Sequence, residues 1–292
     1  MAERESAVLP GHRSHQLDSN PEHTLQHFVD SLEQWQHLKV DAPPDTIVVQ
    51  PGGKTFQSLT QAIASITDAS ANLRYMVNLG VGTWESRPIL KPWIILNGTL
   101  DENDEPASTI SCAGDAYPNS GTLIAAPNSS IQNLKVVSYG VRPKTDLYAV
   151  FVLGADPFAI NNCLITIDNR GHDVDGCAAV AIDFFVNPPK PSNVWIGSSQ
   201  LAATATATTD YPIALGVGSS AKVQVNQCGL VSHARDHSAG AAGYQQSVVD
   251  LTMCKVTGQT WSIILQPFVG AKWTARKSQL TGPVDKNVTV FP

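Results

Sequence analysis

The alternation of hydrophobic and polar positions changes its rhythm once along the chain. Between Asn20 and the stretch Asp41-Ala42-Pro43-Pro44, apolar residues recur at helical spacing: Leu25, Phe28, Val29, Leu32 and Trp35. Residues three and four apart share one face of a helix. Asn20 is a residue type that caps helix N-termini, and Pro21 suits a first turn, where its missing N–H is not needed. The spacing predicts one amphipathic helix within 20–45 that caps or braces the body of the protein, preceded by a mobile arm over 1–19. From Thr46 the texture is different. Short apolar runs (TIVV, YMVNLG, WIILNG, TLIA, LKVV, YAVFVLG) alternate with Gly, Pro, Asn, Asp and Ser, interrupted by one helical segment from Ser58 to Ile66. Many short strands bounded by turn residues predict an all-β body over 46–292.

A degenerate repeat refines this. Ile160-Asn-Asn-Cys163-Leu-Ile is echoed by Ile196-Gly-Ser-Ser199-Gln-Leu, Val225-Asn-Gln-Cys228-Gly-Leu, Leu251-Thr-Met-Cys254-Lys-Val and Ala275-Arg-Lys-Ser278-Gln-Leu, at intervals of 24 to 36 residues. Periods in this range belong to solenoids. A small Cys or Ser once per repeat fits a tight interior turn that stacks in line from coil to coil. Cys163, Cys228 and Cys254 are therefore expected to be buried structural thiols rather than nucleophiles.

Composition narrows the function. Charged residues are 15% of the 292, and the net charge is −6, with no basic stripe. That argues against a nucleic-acid partner. No segment is apolar enough to span a membrane, and the N-terminus lacks the apolar stretch of a secretory leader. The expected location is the cytoplasm, or outside the cell if a leader has been removed. Five cysteines cannot all pair within one chain, and their spacing matches neither a zinc site nor a redox motif. With no nucleotide or metal motif either, no cofactor is expected. Nothing in the residues signals an oligomeric state.

The order of segments from about residue 46 onward resembles the pectin methylesterase family. Gly53-Lys-Thr-Phe56-Gln-Ser-Leu59-Thr-Gln61-Ala62-Ile63 is similar to that family's opening turn and helix, and Val81-Gly-Thr-Trp84-Glu-Ser86 to its Gly-x-Tyr-x-Glu segment. Trp93-Ile-Ile-Leu-Asn-Gly98, Thr122-Leu-Ile and Ile131-Gln-Asn-Leu-Lys-Val resemble the next coils. Tyr148 through Asp156 resembles the coil that carries the first active-site Gln, and Asp210-Tyr-Pro-Ile-Ala-Leu-Gly216 resembles the Asp-Phe-Ile-Phe-Gly strand. The resemblance implies a single-stranded, right-handed parallel β-helix. It also implies two aspartates as nucleophile and acid/base, an orienting Arg, and Gln side chains for the oxyanion. The chain departs from that set. Tyr148 replaces the first Gln, the Gln-Asp-Thr segment has no counterpart, and the Arg-bearing Leu-Gly-Arg-Pro-Trp reads Gln266-Pro-Phe-Val-Gly-Ala-Lys272-Trp273. Asp210 alone matches. A standard pectinesterase is not expected.

Candidate groups cluster in the middle coils. Strict alternation in Ala179-Val-Ala-Ile-Asp183-Phe turns Val180, Ile182 and Phe184 inward and Ala179, Ala181 and Asp183 outward, onto a groove shared with Asp210 of the next coil. Two adjacent carboxylates would split their pKa values as acid/base work requires; the plainer alternative is a pair of solvated acids. His233 and Arg235 lie in the densest polar cluster, with Asp236 and His237. His suits proton transfer near neutral pH and Arg suits a carboxylate clamp. His172 and Asp175 flank an Asp-rich loop that reads as a turn rather than a metal site. Tyr148, Tyr244, Trp261 and Trp273 are available as an aromatic wall, though buried packing is commoner for such residues. The leading expectation is an enzyme doing cofactor-free acid/base chemistry (lyase, isomerase or cyclase) on a non-pectin small molecule, with Asp183, Asp210, His233 and Arg235 as catalytic groups. Tyr148, His172, Asp175, Asp236, His237, Tyr244 and Trp261 would bind the ligand, a small molecule or saccharide. The alternatives are a residual carboxylic-ester or carbohydrate hydrolase, and a non-catalytic module that binds a saccharide or protein or builds a fibre.

Overall fold

A computed structural model of the chain describes residues 42–50, 52–115, 121–141, 146–172, 176–183, 191–205, 212–218, 220–234, 237–244, 246–265 and 270–292. One turn of the chain passes through three strands, Asp146–Val152, Phe158–Asn161 and Leu164–Asp168. The next turn lays Gly176–Ile182, Asn193–Gly197 and Gln200–Thr204 beside them in parallel register. Repetition gives sheets of eleven, six and eight strands, a right-handed parallel β-helix. The amphipathic segment expected within 20–45 lies outside the described residues up to Asp41.

Like residues stack because each backbone N–H reaches the carbonyl of a neighbouring coil. Three aliphatic columns fill the interior. Ile131, Ile160, Ile196, Val225, Leu251 and Ala275 come from the eleven-stranded sheet. Val136, Ile165, Leu201, Leu230, Val256 and Leu280 come from the eight-stranded one. Leu123, Val150, Val180, Leu215, Ala241 and Ile263 come from the six-stranded one. The ends of this core need covers. At the N-terminal end the helix Leu59–Ser65, capped by Ser58, buries Leu59, Ala62 and Ile63. Beside it the strand Ile47–Gln50 pairs antiparallel with both Lys54–Phe56 and Tyr75–Leu79, a departure from the otherwise parallel sheet.

The sequence repeat is the corner between the eleven- and eight-stranded sheets. Asn133, Asn162, Ser198, Gln227, Met253 and Lys277 all take φ between 47° and 56° there. Left-handed backbone is costly for most side chains, so the corner must be held by bonds. Asn162 Nδ2 donates to Asn133 Oδ1 (2.9 Å), Cys163 N–H to Ser199 Oγ (3.1 Å), Ser199 N–H to Cys228 Sγ (3.4 Å) and Cys254 N–H to Ser278 Oγ (3.1 Å). Burial pushes the Cys163 and Cys228 thiols up to about 12 and raises Cys254, so none is a thiolate near neutral pH.

The six-stranded sheet bends. Its register skips one residue per strand, from Tyr148↔Ala178 directly to Val150↔Val180, and likewise in the neighbouring pairs. The skipped residues are Thr122, Ala149, Ala179, Ala214, Gly240 and Ser262, all small. A Cβ at Gly240 would come within 2.6 Å of Val256. Ala149 and Ala179 belong to the interior cluster together with the Val150 and Val180 that come after them. Strict alternation fails here: Ala179 points inward, not outward.

Because Ser already occupies the Cys position in two coils, Cys228→Ser is expected to cost under about 1.5 kcal/mol, whereas Cys228→Leu should overpack the corner by about 1–3 kcal/mol. Urea unfolding measures both. Equal costs would mean that the corner does not select for size.

Candidate functional site

The bend decides what the outward face of the six-stranded sheet presents. With Ala149 and Val150 both turned in, Tyr148 and Phe151 both turn out, and their rings stack 5.6 Å apart at 16°. Ala178, Ala181, Ile213 and Ala242 join them in a buried apolar cluster, with Leu153, Tyr244 and Ile264 partly buried at its margin. Trp261 ends the row that begins at Gly121 and passes through Tyr148, Ala178, Ile213 and Ala239. Trp273, by contrast, lies inside the core, where its Nε1 donates to Ser247 Oγ (3.1 Å).

Asp183 sits at the finishing edge of this face. Alternation would turn it outward after Ala181, but its φ of 50° swings it into the corner toward the eleven-stranded sheet, and it is 0% exposed. Its N–H donates to Val152 O (2.8 Å). In the same row Gly218 N–H donates to Ile182 O (2.7 Å) and Tyr244 N–H to Val217 O (2.9 Å). Asp183 thus stands in a row with Leu153, Gly218 and Tyr244. Its Oδ1 accepts from Gly154 N–H and Ser192 Oγ–H, both at 2.9 Å. Ser192 Oγ in turn accepts from Ala155 N–H (3.1 Å). Oδ2 is buried with no partner among the described residues. Burial pushes this carboxyl from the usual 3.8 up to about 6, while the hydrogen bonds from Gly154 and Ser192 pull the other way more weakly. Asp183 is therefore not a solvated surface acid.

The remaining candidates separate. His233 is exposed at the end of Gly229–His233 in the eight-stranded sheet, in a row with Tyr139, Asp168 and Thr204. His172 lies just past Asp168, its N–H donating to Asn169 O (2.9 Å). His237 is exposed just before Ala239–Gly243. These three histidines mark the entry to the six-stranded sheet, whereas Asp183 and Tyr244 mark its exit, a strand's length or ~15 Å away. They do not form one constellation. Asp175, Asp210, Arg235 and Asp236 lie outside the described residues. Among the described residues no three His, Cys, Asp or Glu side chains gather as a metal site would require.

Sequence reasoning does not reach Phe151, Leu153 and Ser192. The two apolar residues come out of the bulge, for which paired small and branched residues (Ala149-Val150, Ala179-Val180, Ala214-Leu215) are the available signal. Ser192 reaches Asp183 across nine residues, and no local pattern announces that contact.

No family model matches the chain, and no curated protein is similar to it in sequence. Solved structures are similar in shape. A pectin methylesterase from carrot superposes with a TM-score of 0.54 at 13% identity, covering 82% of this chain and 85% of that one. The deglycosylated pectin methylesterase of Aspergillus niger superposes with a TM-score of 0.52 at 13% identity, covering 86% and 82%. At such identity the likeness is one of architecture: the chain has the pectin methylesterase-like β-helix fold.

Proposed function

We propose that this β-helix carries out cofactor-free acid/base chemistry on a small, largely apolar molecule rather than on methylated pectin, with Asp183 as the proton-handling group. One observation carries the reading. A buried carboxyl has one oxygen fixed by two donors and the other unpartnered among the described residues, at the half-open margin of an apolar sheet face between Leu153 and Tyr244. A carboxyl held near neutrality by an apolar setting is suited to giving and taking protons. Lyase, isomerase and cyclase reactions need that and can dispense with a nucleophile. Ester hydrolysis through a carboxylate asks for more: fixed donors around a developing oxyanion and a second acid. The outward described residues of this sheet are instead mostly hydrocarbon, with Tyr148 where the resemblance would put a Gln.

Methanol release from methyl esters, methylated polyuronate included, should stay at background. Release that disappears in Asp183→Asn or Asp210→Asn would overturn the reading in favour of a hydrolase. In a thermal-shift screen, ring-containing apolar compounds should raise the melting temperature where uronate oligosaccharides do not, and Leu153→Trp, which fills the half-buried margin beside Asp183, should remove the shift. With a compound so identified, Asp183→Asn should abolish turnover.

Asp183 also sets a pH dependence. Its folded pKa of about 6 lies above the usual 3.8, so folding favours the neutral acid. The associated stability is complete below about pH 3.8 and is lost as the pH rises through about 6, an effect of ~2–3 kcal/mol at about 1.4 kcal/mol per unit. Asp183→Asn cannot ionise and keeps an acceptor for Gly154 and Ser192. Relative to wild type it should gain stability between about pH 4 and 6 and hold that gain above. Urea titrations across this range test it; a difference that does not vary with pH would show that Asp183 is ionised in the native state.

A further inference from the structure

Charge is unevenly spread along this chain. Residues 1–219 carry twelve Lys and Arg against 22 Asp and Glu, a net −10, whereas residues 220–292 carry seven against three, a net +4. Coil stacking gathers part of that excess on the outward face of the eleven-stranded sheet, at its last coils. Val223, Val225, Val249, Leu251, Trp273 and Ala275 turn into the core, so the residues between them turn out. Lys222, Val248 and Lys272 make one outward column. Thr252, Arg276 and Phe291 belong to another, with Met253 and Lys277 following at the corner. Lys286 lies in the turn that leads into Val288–Phe291. These four lysines are exposed, and none has a carboxylate partner among the described residues. The nearby acids are otherwise engaged. Asp250 Oδ1 lies 3.6 Å from Arg276 Nε and accepts from Thr274 Oγ1 (2.7 Å), and Asp285 accepts from the Asn287 N–H (2.9 Å). Interleaved with the lysines are Val248, Met253 and Phe291, which are 38%, 47% and 40% exposed.

We propose that this face docks on an anionic lipid bilayer, with the lysines among the headgroups and Val248, Met253 and Phe291 dipping between them. The pairing of charge with hydrocarbon supports this partner. A soluble polyanion answers the lysines but gives the apolar side chains nothing to enter, whereas a bilayer surface offers both at one level. Shape supports it as well. Side chains on one face of a sheet stand roughly perpendicular to it, so those of the four last strands reach a flat surface together. The face spans three strand spacings, ~14 Å, by about five residues, ~17 Å. The chain's overall negative charge lies elsewhere. The exposed acids Asp101, Glu102, Asp104 and Glu105 follow Ile94–Asn97, four strands from Lys222 in the sheet order. That is ~19 Å, beyond the ~10 Å over which charges act at 0.1 M salt. The lysines are far apart in sequence, and only the coil register brings them to one plane. This docking is separate from the chemistry assigned to Asp183.

Sedimentation of the full chain with lipid vesicles tests this. The protein should pellet with vesicles of two parts phosphatidylcholine to one part phosphatidylserine and stay in solution with phosphatidylcholine alone. Raising the salt from about 0.1 M to about 1 M should release it. A lysine at an anionic surface strengthens binding about fivefold, so the double variant Lys222→Gln, Lys272→Gln should bind about 25-fold more weakly, at an unchanged melting temperature. Val248→Ser and Phe291→Ser should each weaken binding severalfold, and Lys54→Gln, at the opposite end of the sheet, should change nothing. No pelleting with the anionic vesicles, or an equal loss in Lys54→Gln, would overturn the proposal. Should both serine variants bind vesicles like wild type while the lysine pair also weakens binding to immobilised polyphosphate, the face would belong to a soluble polyanion, and the proposal would fall equally.

Discussion

Everything in this molecule depends on coil-to-coil register: each strand hydrogen-bonds to its equivalents one turn before and after, at a fixed spacing of ~4.8 Å. A residue is therefore chosen less for its neighbours in sequence than for those above and below it. The aliphatic columns are the direct result. So is the corner of left-handed residues, where a thiol or hydroxyl in one coil accepts the backbone N–H of the Cys or Ser in an adjacent coil. Coil length is free to vary between 24 and 36 residues at that corner, because excursions leave and rejoin at the corners without disturbing the register.

The same constraint explains what is legible in the sequence. The Cys/Ser recurrence is visible because stacking forces similar sizes onto one position, and the short strands are visible because each coil needs three. The Ser58-capped helix is visible because capping is local. The bend of the six-stranded sheet is not. It arises from one skipped residue, and alternation counted in twos passes over it and puts Ala179 on the wrong side. Nor does alternation say at which end of a strand a residue sits. His233, His237 and Asp183 therefore read as one groove, although the histidines stand where the chain enters the sheet and the aspartate where it leaves. The burial of Asp183 depends on its own φ and on Ser192, neither of which has a sequence signature.

The fold likeness and the site chemistry lead in different directions, as they often do for architectures that serve many activities. The scaffold is that of pectin methylesterases, yet the outward cluster among the described residues of its six-stranded sheet is stacked rings, alanines and a branched chain. At its finishing edge Asp183 is held in the corner by the backbone of the previous coil. Hydrogen bonding fixes one of its oxygens and burial keeps the group protonatable.

The reversed first strand has a consequence of its own. A stack of equivalent parallel coils has no inherent length, since each coil offers the next the same pattern of donors and acceptors. Ile47–Gln50 runs against that pattern on both its sides. At the other end Val288–Phe291 is still parallel to its neighbour, with Val290 and Phe291 exposed. The two ends differ in kind. One carries a reversed strand set between the coils and a three-residue edge, Lys54–Phe56, and so breaks the repeat; the other keeps the repeat's direction through its last described strand.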